Sequence, residues 1–175
     1  MYSLFVLIMK ALFIGRFQPF HNGHLKIIKE ASKKYSEIII GIGSPQYNHT
    51  YENPFTNDER KLMIERSLNG VGIKNYKILS IPDIHNPPKW VDHVLSIISD
   101  FDVVITNNDF TKQLFSEKGY IIKETPLYNK DRYSGEVIRG KILNDEIWKD
   151  LVPTEVSKII DKIDGVNRIK QTFNR

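Results

Sequence analysis

Two histidines, His21 and His24, stand in a turn that also holds Gly15, Arg16, Phe17 and Gly23. The surrounding text, LFIGRFQPFHNGHLKIIKEA (Leu12–Ala31), begins apolar and passes through a loop. It then turns helical, with Leu25, Ile28 and Ala31 on one side. A loop that opens a helix presents unpaired backbone N–H groups and the positive end of a dipole to an anion. At this spacing both imidazoles can face one small volume. Gly15 allows close approach of a ligand to the backbone. The spacing is neither GxGxxG nor a P-loop, so the expected anion is a nucleotide phosphate held in another way. A histidine pair could also hold zinc, but the chain has no cysteine and no third ligand stands nearby. Either histidine alone also suits a helix cap or a core position.

A second loop-to-helix junction reads Tyr133-Ser134-Gly135-Glu136-Val137-Ile138-Arg139. The Ser134 hydroxyl and the free amides that follow, Val137 included, can hold phosphate oxygens, and Arg139 lies one turn further on. By itself this is equally an N-cap serine followed by a surface arginine. Paired with the first loop, it points to a polyphosphate.

The elements that must position these loops alternate. Strand-like runs are expected at Lys10–Ile14, Glu37–Ile42, Tyr76–Ile81, Asp102–Thr106 and Tyr120–Lys123. The second, EIIIGI, is continuously apolar, as in a strand buried on both faces. Helical patterns cover His24–Lys34, Asn57–Leu68, Trp90–Ile98 and Phe110–Lys118. Thr56-x-x-Glu59 forms a capping box before the second of these, and Gly119 stops the fourth. The order predicts an α/β fold: a Rossmann-like, doubly wound parallel sheet of about five strands with helices on both faces. After it come a helix at Gly135–Asn144, another starting at Pro153 as its first residue, and a short one at Asn167–Thr172. The expected organisation is one domain over 1–175, with a Rossmann-like core at 9–125 and the second loop and C-terminal helical segment at 126–175. The loop Gly43–Phe55 is long, polar and aromatic, as in a segment that covers a site.

Bulk properties narrow the class. The 175 residues are 41% hydrophobic and 26% charged, with net charge +4, an ordinary globular composition. No dense Lys/Arg run marks a nucleic-acid partner. The absence of cysteine excludes disulfides and thiol catalysis and fits a cytoplasmic location. The apolar run Leu4–Met9 is far shorter than the roughly 20 residues that span a bilayer, and it lacks the pattern of a signal peptide; no membrane partner is expected. Met9 is an alternative start, with Met1–Ile8 an extension.

The residues Gly15-Arg16-Phe17-Gln18-Pro19-Phe20-His21-Asn22-Gly23-His24 resemble the HxGH signature of the nucleotidyltransferase superfamily. Ser134–Arg139 resembles its second signature, SGTxIR. Gly43-Ser44-Pro45-Gln46, His49-Thr50, Glu52-Asn53-Pro54-Phe55-Thr56, Glu59-Arg60, Ile81-Pro82-Asp83-Ile84, Trp90-Val91 and Leu151-Val152-Pro153 are similar to the archaeal nicotinamide-nucleotide adenylyltransferases. The likeness runs from about Lys10 to about Lys170.

The resemblance implies the reaction of ATP with nicotinamide mononucleotide (NMN) to give NAD and pyrophosphate. In it the NMN phosphate attacks the α-phosphorus directly, with Mg²⁺ accompanying ATP and no metal held by protein ligands alone. It implies that His21, His24 and Arg139 are catalytic. Gly15, Arg16, Phe17, Gly23, Asn108, Tyr133, Ser134 and Val137 would bind ATP, Asn108 near the adenosine. Ile81, Asp83 and Trp90 would form the nicotinamide pocket, with Trp90 stacked on the ring. A homo-oligomer, commonly a hexamer in archaea, follows from the same likeness. Nicotinate mononucleotide is a second possible acceptor.

Three departures stand out. Glu136 replaces the usual threonine and puts a negative charge beside the polyphosphate. Thr106-Asn107-Asn108 lacks the family's glycine. Prolines occupy part of Ile84–Lys89, where a polar pocket residue is common. The alternatives are adenylyl or cytidylyl transfer to phosphopantetheine or FMN, and a module that senses NAD or ATP without turnover. A pyrophosphohydrolase would need a carboxylate cluster holding metals, and none stands near either loop.

Overall fold

The structure, a computed structural model, describes residues 8–126 and 132–173. The elements run β1 (Lys10–Gly15), α1 (Asn22–Ser32), β2 (Glu37–Gly43), α2 (Asn57–Gly70), β3 (Tyr76–Ile81), α3 (Pro87–Ile97), β4 (Val103–Ile105), α4 (Asp109–Glu117) and β5 (Ile121–Lys123). There follow α5 (Gly135–Leu143), a 3₁₀ turn (Lys149–Leu151), α6 (Thr154–Lys162) and α7 (Gly165–Phe173). All five strands are parallel, in the order β3-β2-β1-β4-β5. The expected Rossmann-like sheet is therefore present, with its order reversing between β1 and β4.

Alternation along the strands divides the core. Ala11, Phe13, Ile38, Ile40, Ile42, Val103 and Ile105 face one side, where Ile28 of α1, Met63 and Ile64 of α2, Ile138 of α5 and Ile160 of α6 cover them. Leu12, Ile39 and Val104 face the other, against Val91 and Val94 of α3 and Phe115 of α4. A strand with both faces covered has no polar alternation, which is why β2 is a run of isoleucines. Gly41 breaks that run because a Cβ there would lie 2.5 Å from Ile81 Cδ1.

Helix ends fall where capping chemistry puts them. Thr56 and Glu59 form the expected reciprocal box, with Glu59 N–H to Thr56 Oγ1 at 3.2 Å and Thr56 N–H to Glu59 Oε2 at 2.8 Å. Gly119, at φ +83°, takes the left-handed position after α4. The helices expected from His24, Phe110 and Asn167 begin one or two residues earlier, at Asn22, Asp109 and Gly165, and two further starts are corrected. α3 begins three residues before Trp90, because Pro87 and Pro88 suit its first turn. Pro153 is the N-cap of α6 and not its first residue, since its ψ of 146° is extended. Residues 1–7, and with them most of the extension before Met9, lie outside the described residues. Among the described residues no helix is long and apolar enough to cross a membrane.

Candidate active site

The β1 exit loop folds back on itself. Phe17 adopts φ 51°, and its ring fills the space beside Gly15, where a Cβ would lie 2.9 Å from two ring carbons. Gly15 thus serves the shape of the loop, and it also lines the second of the cavities described below. Phe17 is 1% exposed and sets its edge on the His24 ring at 4.8 Å, while Phe20 stacks on the same ring at 5.5 Å. The two phenylalanines hold His24 in place.

His21 is the N-cap of α1 and His24 its third residue. His21 Nδ1 accepts the backbone N–H of His24 at 3.3 Å, and His24 Nδ1 accepts that of His21 at 3.3 Å. This is a capping box made of two imidazoles, whose rings stack at 3.5 Å and 17°. Gly23 fits the stack: a Cβ there would come within 3.0 Å of His21 Nδ1 and of Tyr133 Cβ. With each Nδ1 accepting, a neutral ring carries its proton on Nε2. Burial pushes the His21 imidazolium down to about 4. Burial, with the neighbouring His21 in second place, holds His24 well below the usual histidine range. Both are neutral at pH 7, leaving two N–H donors and no base or cation.

Both rings line a cavity of about 530 Å³ between the exits of β1 and β4, the place where α/β sheets bind ligands. Arg16, Asn108, Ser134 and Arg139 line it too, and Gly23 and Tyr133 contribute to its wall. The start of α5 lies against the first loop. A Cβ at Gly135 would sit 2.7 Å from the Gln18 carbonyl oxygen and 2.9 Å from Arg139 Nη1. Arg139 is 7% exposed, donates from Nη1 to that carbonyl at 2.7 Å and lies 5.5 Å from the Tyr51 ring centre. Its Nε is buried without a hydrogen-bond partner among the described residues. Burial lowers its pKa from the ordinary arginine value. Ser134 Oγ accepts the Val137 N–H at 3.1 Å, and its own O–H remains a donor. The serine is therefore both cap and cavity wall.

A second cavity, also about 530 Å³, adjoins the first at Ile14 and Arg16. Ile81, Asp83 and Trp90 line it, with Phe110 opposite. Trp90 meets Phe115 edge-on at 5.8 Å, which fixes the indole while leaving it on the cavity wall. The loop after β2 closes over this side. Gln46 donates to the Asp83 carbonyl at 2.8 Å and accepts its N–H at 3.2 Å, and Tyr47 bonds His85 Nε2 at 2.5 Å.

Of the residues expected from sequence, all but Val137 line one cavity or the other. The Val137 N–H is spent on the Ser134 cap, and its side chain borders neither cavity. Asn108 lines the first cavity, but its Oδ1 accepts the Thr111 N–H at 2.9 Å as the cap of α4. Residues not singled out by sequence include Gln18, whose buried amide pairs both backbone groups of Phe55 at 2.9 and 3.0 Å. Tyr51 and Glu52, in the long loop flagged as a cover, reach Arg139 and the first cavity. Among the described residues, Glu52 and Glu136 are the two carboxylates on that cavity. Among the described residues no group of three metal-ligating side chains occurs.

Residues 12–156 match the cytidylyltransferase-like family model. The nicotinamide-nucleotide adenylyltransferase of Methanococcus aeolicus is 50% identical over 93% of this chain and 94% of its own. That of Picrophilus torridus is 47% identical over 93% and 96%. A solved bifunctional NMN adenylyltransferase/ADP-ribose pyrophosphatase from Francisella tularensis, complexed with AMP and a manganese ion, superposes with a TM-score of 0.78 at 26% identity. It is matched over 96% of this chain, which spans 53% of that protein's length.

Proposed function

The chain belongs to the cytidylyltransferase-like family, and from that premise we propose that it is a nicotinamide-nucleotide adenylyltransferase, making NAD and pyrophosphate from ATP and NMN. The observation that carries this is the meeting of two nucleotide-sized cavities at Arg16, with the paired histidines and Arg139 on one side and Trp90 on the other. Relatives of similar length that share up to 50% of its residues bear that activity in their names.

In the proposed arrangement ATP occupies the first cavity and NMN the second. The NMN phosphate is largely dianionic at neutral pH, so its attack on the α-phosphorus needs no general base. The P–O bond to pyrophosphate breaks as the new P–O bond forms, and no covalent enzyme intermediate arises. The protein's task is to align two anions that repel each other and to stabilise charge as it develops. Arg16, at the junction, is placed to touch both phosphates. The His21 and His24 Nε2–H groups donate to the triphosphate. Arg139 and the Ser134 hydroxyl hold its β- and γ-phosphates. Trp90 stacks on the nicotinamide ring, and Asp83 supplies a polar wall.

A divalent cation fits this site as a passenger of the triphosphate, with Glu52 as an available hard oxygen ligand. When bound it neutralises the leaving pyrophosphate, and we propose Mg²⁺. A homo-oligomer and a cytoplasmic site of action are part of the same proposal, supported by family likeness and by nucleotide substrates.

The test is product analysis. With Mg-ATP and NMN, NAD and pyrophosphate should appear in equal amounts, while phosphopantetheine or FMN in place of NMN should give no dinucleotide. Binding of both substrates without NAD would overturn the proposal. AMP and pyrophosphate released together without NAD would indicate hydrolysis, with water in place of the NMN phosphate.

A further inference from the structure

Arg60, in the second turn of α2, is 0% exposed, the largest side chain so deeply buried. It touches neither cavity. Its partners among the described residues are all carbonyl oxygens: Thr56 from Nε at 3.3 Å, Arg16 and Gly43 from Nη1 at 2.9 and 3.0 Å, and Ser44 from Nη2 at 3.2 Å. The neighbouring carboxylate, Glu59, is taken by Arg168 in a two-pronged pair at 2.6 and 3.0 Å. A buried cation with no anionic partner is costly, and a fold that needed only packing here would be served by an apolar side chain.

The carbonyls it gathers come from two different loops. Arg16 belongs to the exit of β1, and its side chain lines both cavities. Gly43 and Ser44 belong to the exit of β2 and line the second cavity. Ser44 is held at φ 50°, a conformation a non-glycine residue keeps only when its surroundings impose it. The guanidinium fork thus fixes the spacing of the two loops at the point where the cavities meet. Lysine could not do this, because one ammonium group cannot reach four acceptors spread along a planar fork. Burial, with repulsion from Arg16 as a lesser cause, brings the Arg60 pKa down to about 10. The group remains charged at pH 7 and adds an uncompensated positive potential behind the junction.

We propose that Arg60 is a positioning residue for adenylyl transfer: through the Arg16, Gly43 and Ser44 carbonyls it locks the β1 and β2 exit loops together, so that Arg16 is set toward both nucleotides at once. This rests on the two-substrate function proposed above.

The test compares Arg60→Lys and Arg60→Met with Arg66→Lys, an exposed change on the same helix. Folding is verified by urea midpoint, and kcat and both KM values are measured. Arg60→Lys should remain folded and lose about a hundredfold in kcat, as expected for a misplaced contact. Its KM should rise for ATP and for NMN alike, Arg60→Met should lose more, and Arg66→Lys should match the unmodified chain. A folded Arg60→Lys with all constants within about twofold of the unmodified chain, or with only one KM changed, would overturn the proposal.

Hydrogen exchange on the unmodified chain covers the case in which both variants misfold. ATP alone should protect residues 43–47 together with 15–20, and protection confined to 15–20 would contradict the coupling. Failure of the unmodified chain to make NAD would instead count against the function, while the exchange result still reports on the lock.

Discussion

The rings of His21 and His24 lie parallel at 3.5 Å, each accepting the other's backbone N–H through Nδ1. One arrangement thereby caps the start of the helix, fixes both tautomers and leaves two neutral donors at the phosphate cavity. Substitution to alanine would also remove caps, at about 1 kcal/mol for an N-cap. Asparagine at position 21 keeps a cap acceptor and separates the roles. His21→Asn and His24→Asn should stay folded, and each should lose roughly a hundred- to a thousandfold in kcat, as for one lost oriented donor. Steady-state kinetics beside urea unfolding checks this, and near-normal turnover in both would remove the pair from the chemistry.

The same burial gives the protein a pH signature. The folded-state pKa of His21 is about 4, against about 6.5 in an unfolded chain. The unfolded state therefore binds more protons between those values, and stability falls as pH drops through that window. The His21 contribution is fully present above pH 6.5 and lost by about pH 4, amounting to about 3 kcal/mol. Chemical unfolding at pH 7 and pH 4.5 should show the loss, and His21→Asn should flatten the curve. An unchanged slope would contradict the buried neutral ring.

Glu136 stands on the first cavity next to the triphosphate contacts, with Arg139 within its electrostatic reach. It is exposed, so its repulsion of ATP is modest and screened by salt. Glu136→Thr should lower the KM for ATP about three- to fivefold at low ionic strength, with kcat little changed and the difference fading in high salt. A higher KM would instead assign Glu136 to holding the cation.

Trp90 is braced by Phe115 and faces the second cavity. Trp90→Ala should raise the KM for NMN about tenfold through lost stacking and leave that for ATP nearly unchanged, while Trp90→Phe recovers most of the loss. Equal effects on both substrates would argue for a packing role.

Much of this architecture is legible in the chain. The strands and the helix order follow from apolar runs and caps, because an isoleucine run such as β2 has few alternatives to a doubly covered strand. The two loops are visible because histidine, serine and arginine at helix starts carry chemistry that spacing alone can group. What stays hidden depends on partners far apart in sequence. Gln18 pairs with the Phe55 backbone and Arg60 with the Arg16, Gly43 and Ser44 carbonyls, and a bond to a carbonyl leaves no mark in the identity of the residue that offers it. The protonation of His21 and His24 is equally hidden, since it follows from their burial in the folded loop. Of the residues that the resemblance names, all but Val137 line one cavity or the other, and the Val137 N–H is given to Ser134.

The central claim, direct transfer of the adenylyl group to NMN between two cavities that meet at Arg16, is tested most directly by the stereochemical course at the α-phosphorus. ATP made chiral there by a sulfur substitution, reacted with NMN, should give a dinucleotide of inverted configuration together with unlabelled pyrophosphate. Retention, or pyrophosphate release without a dinucleotide, would contradict it.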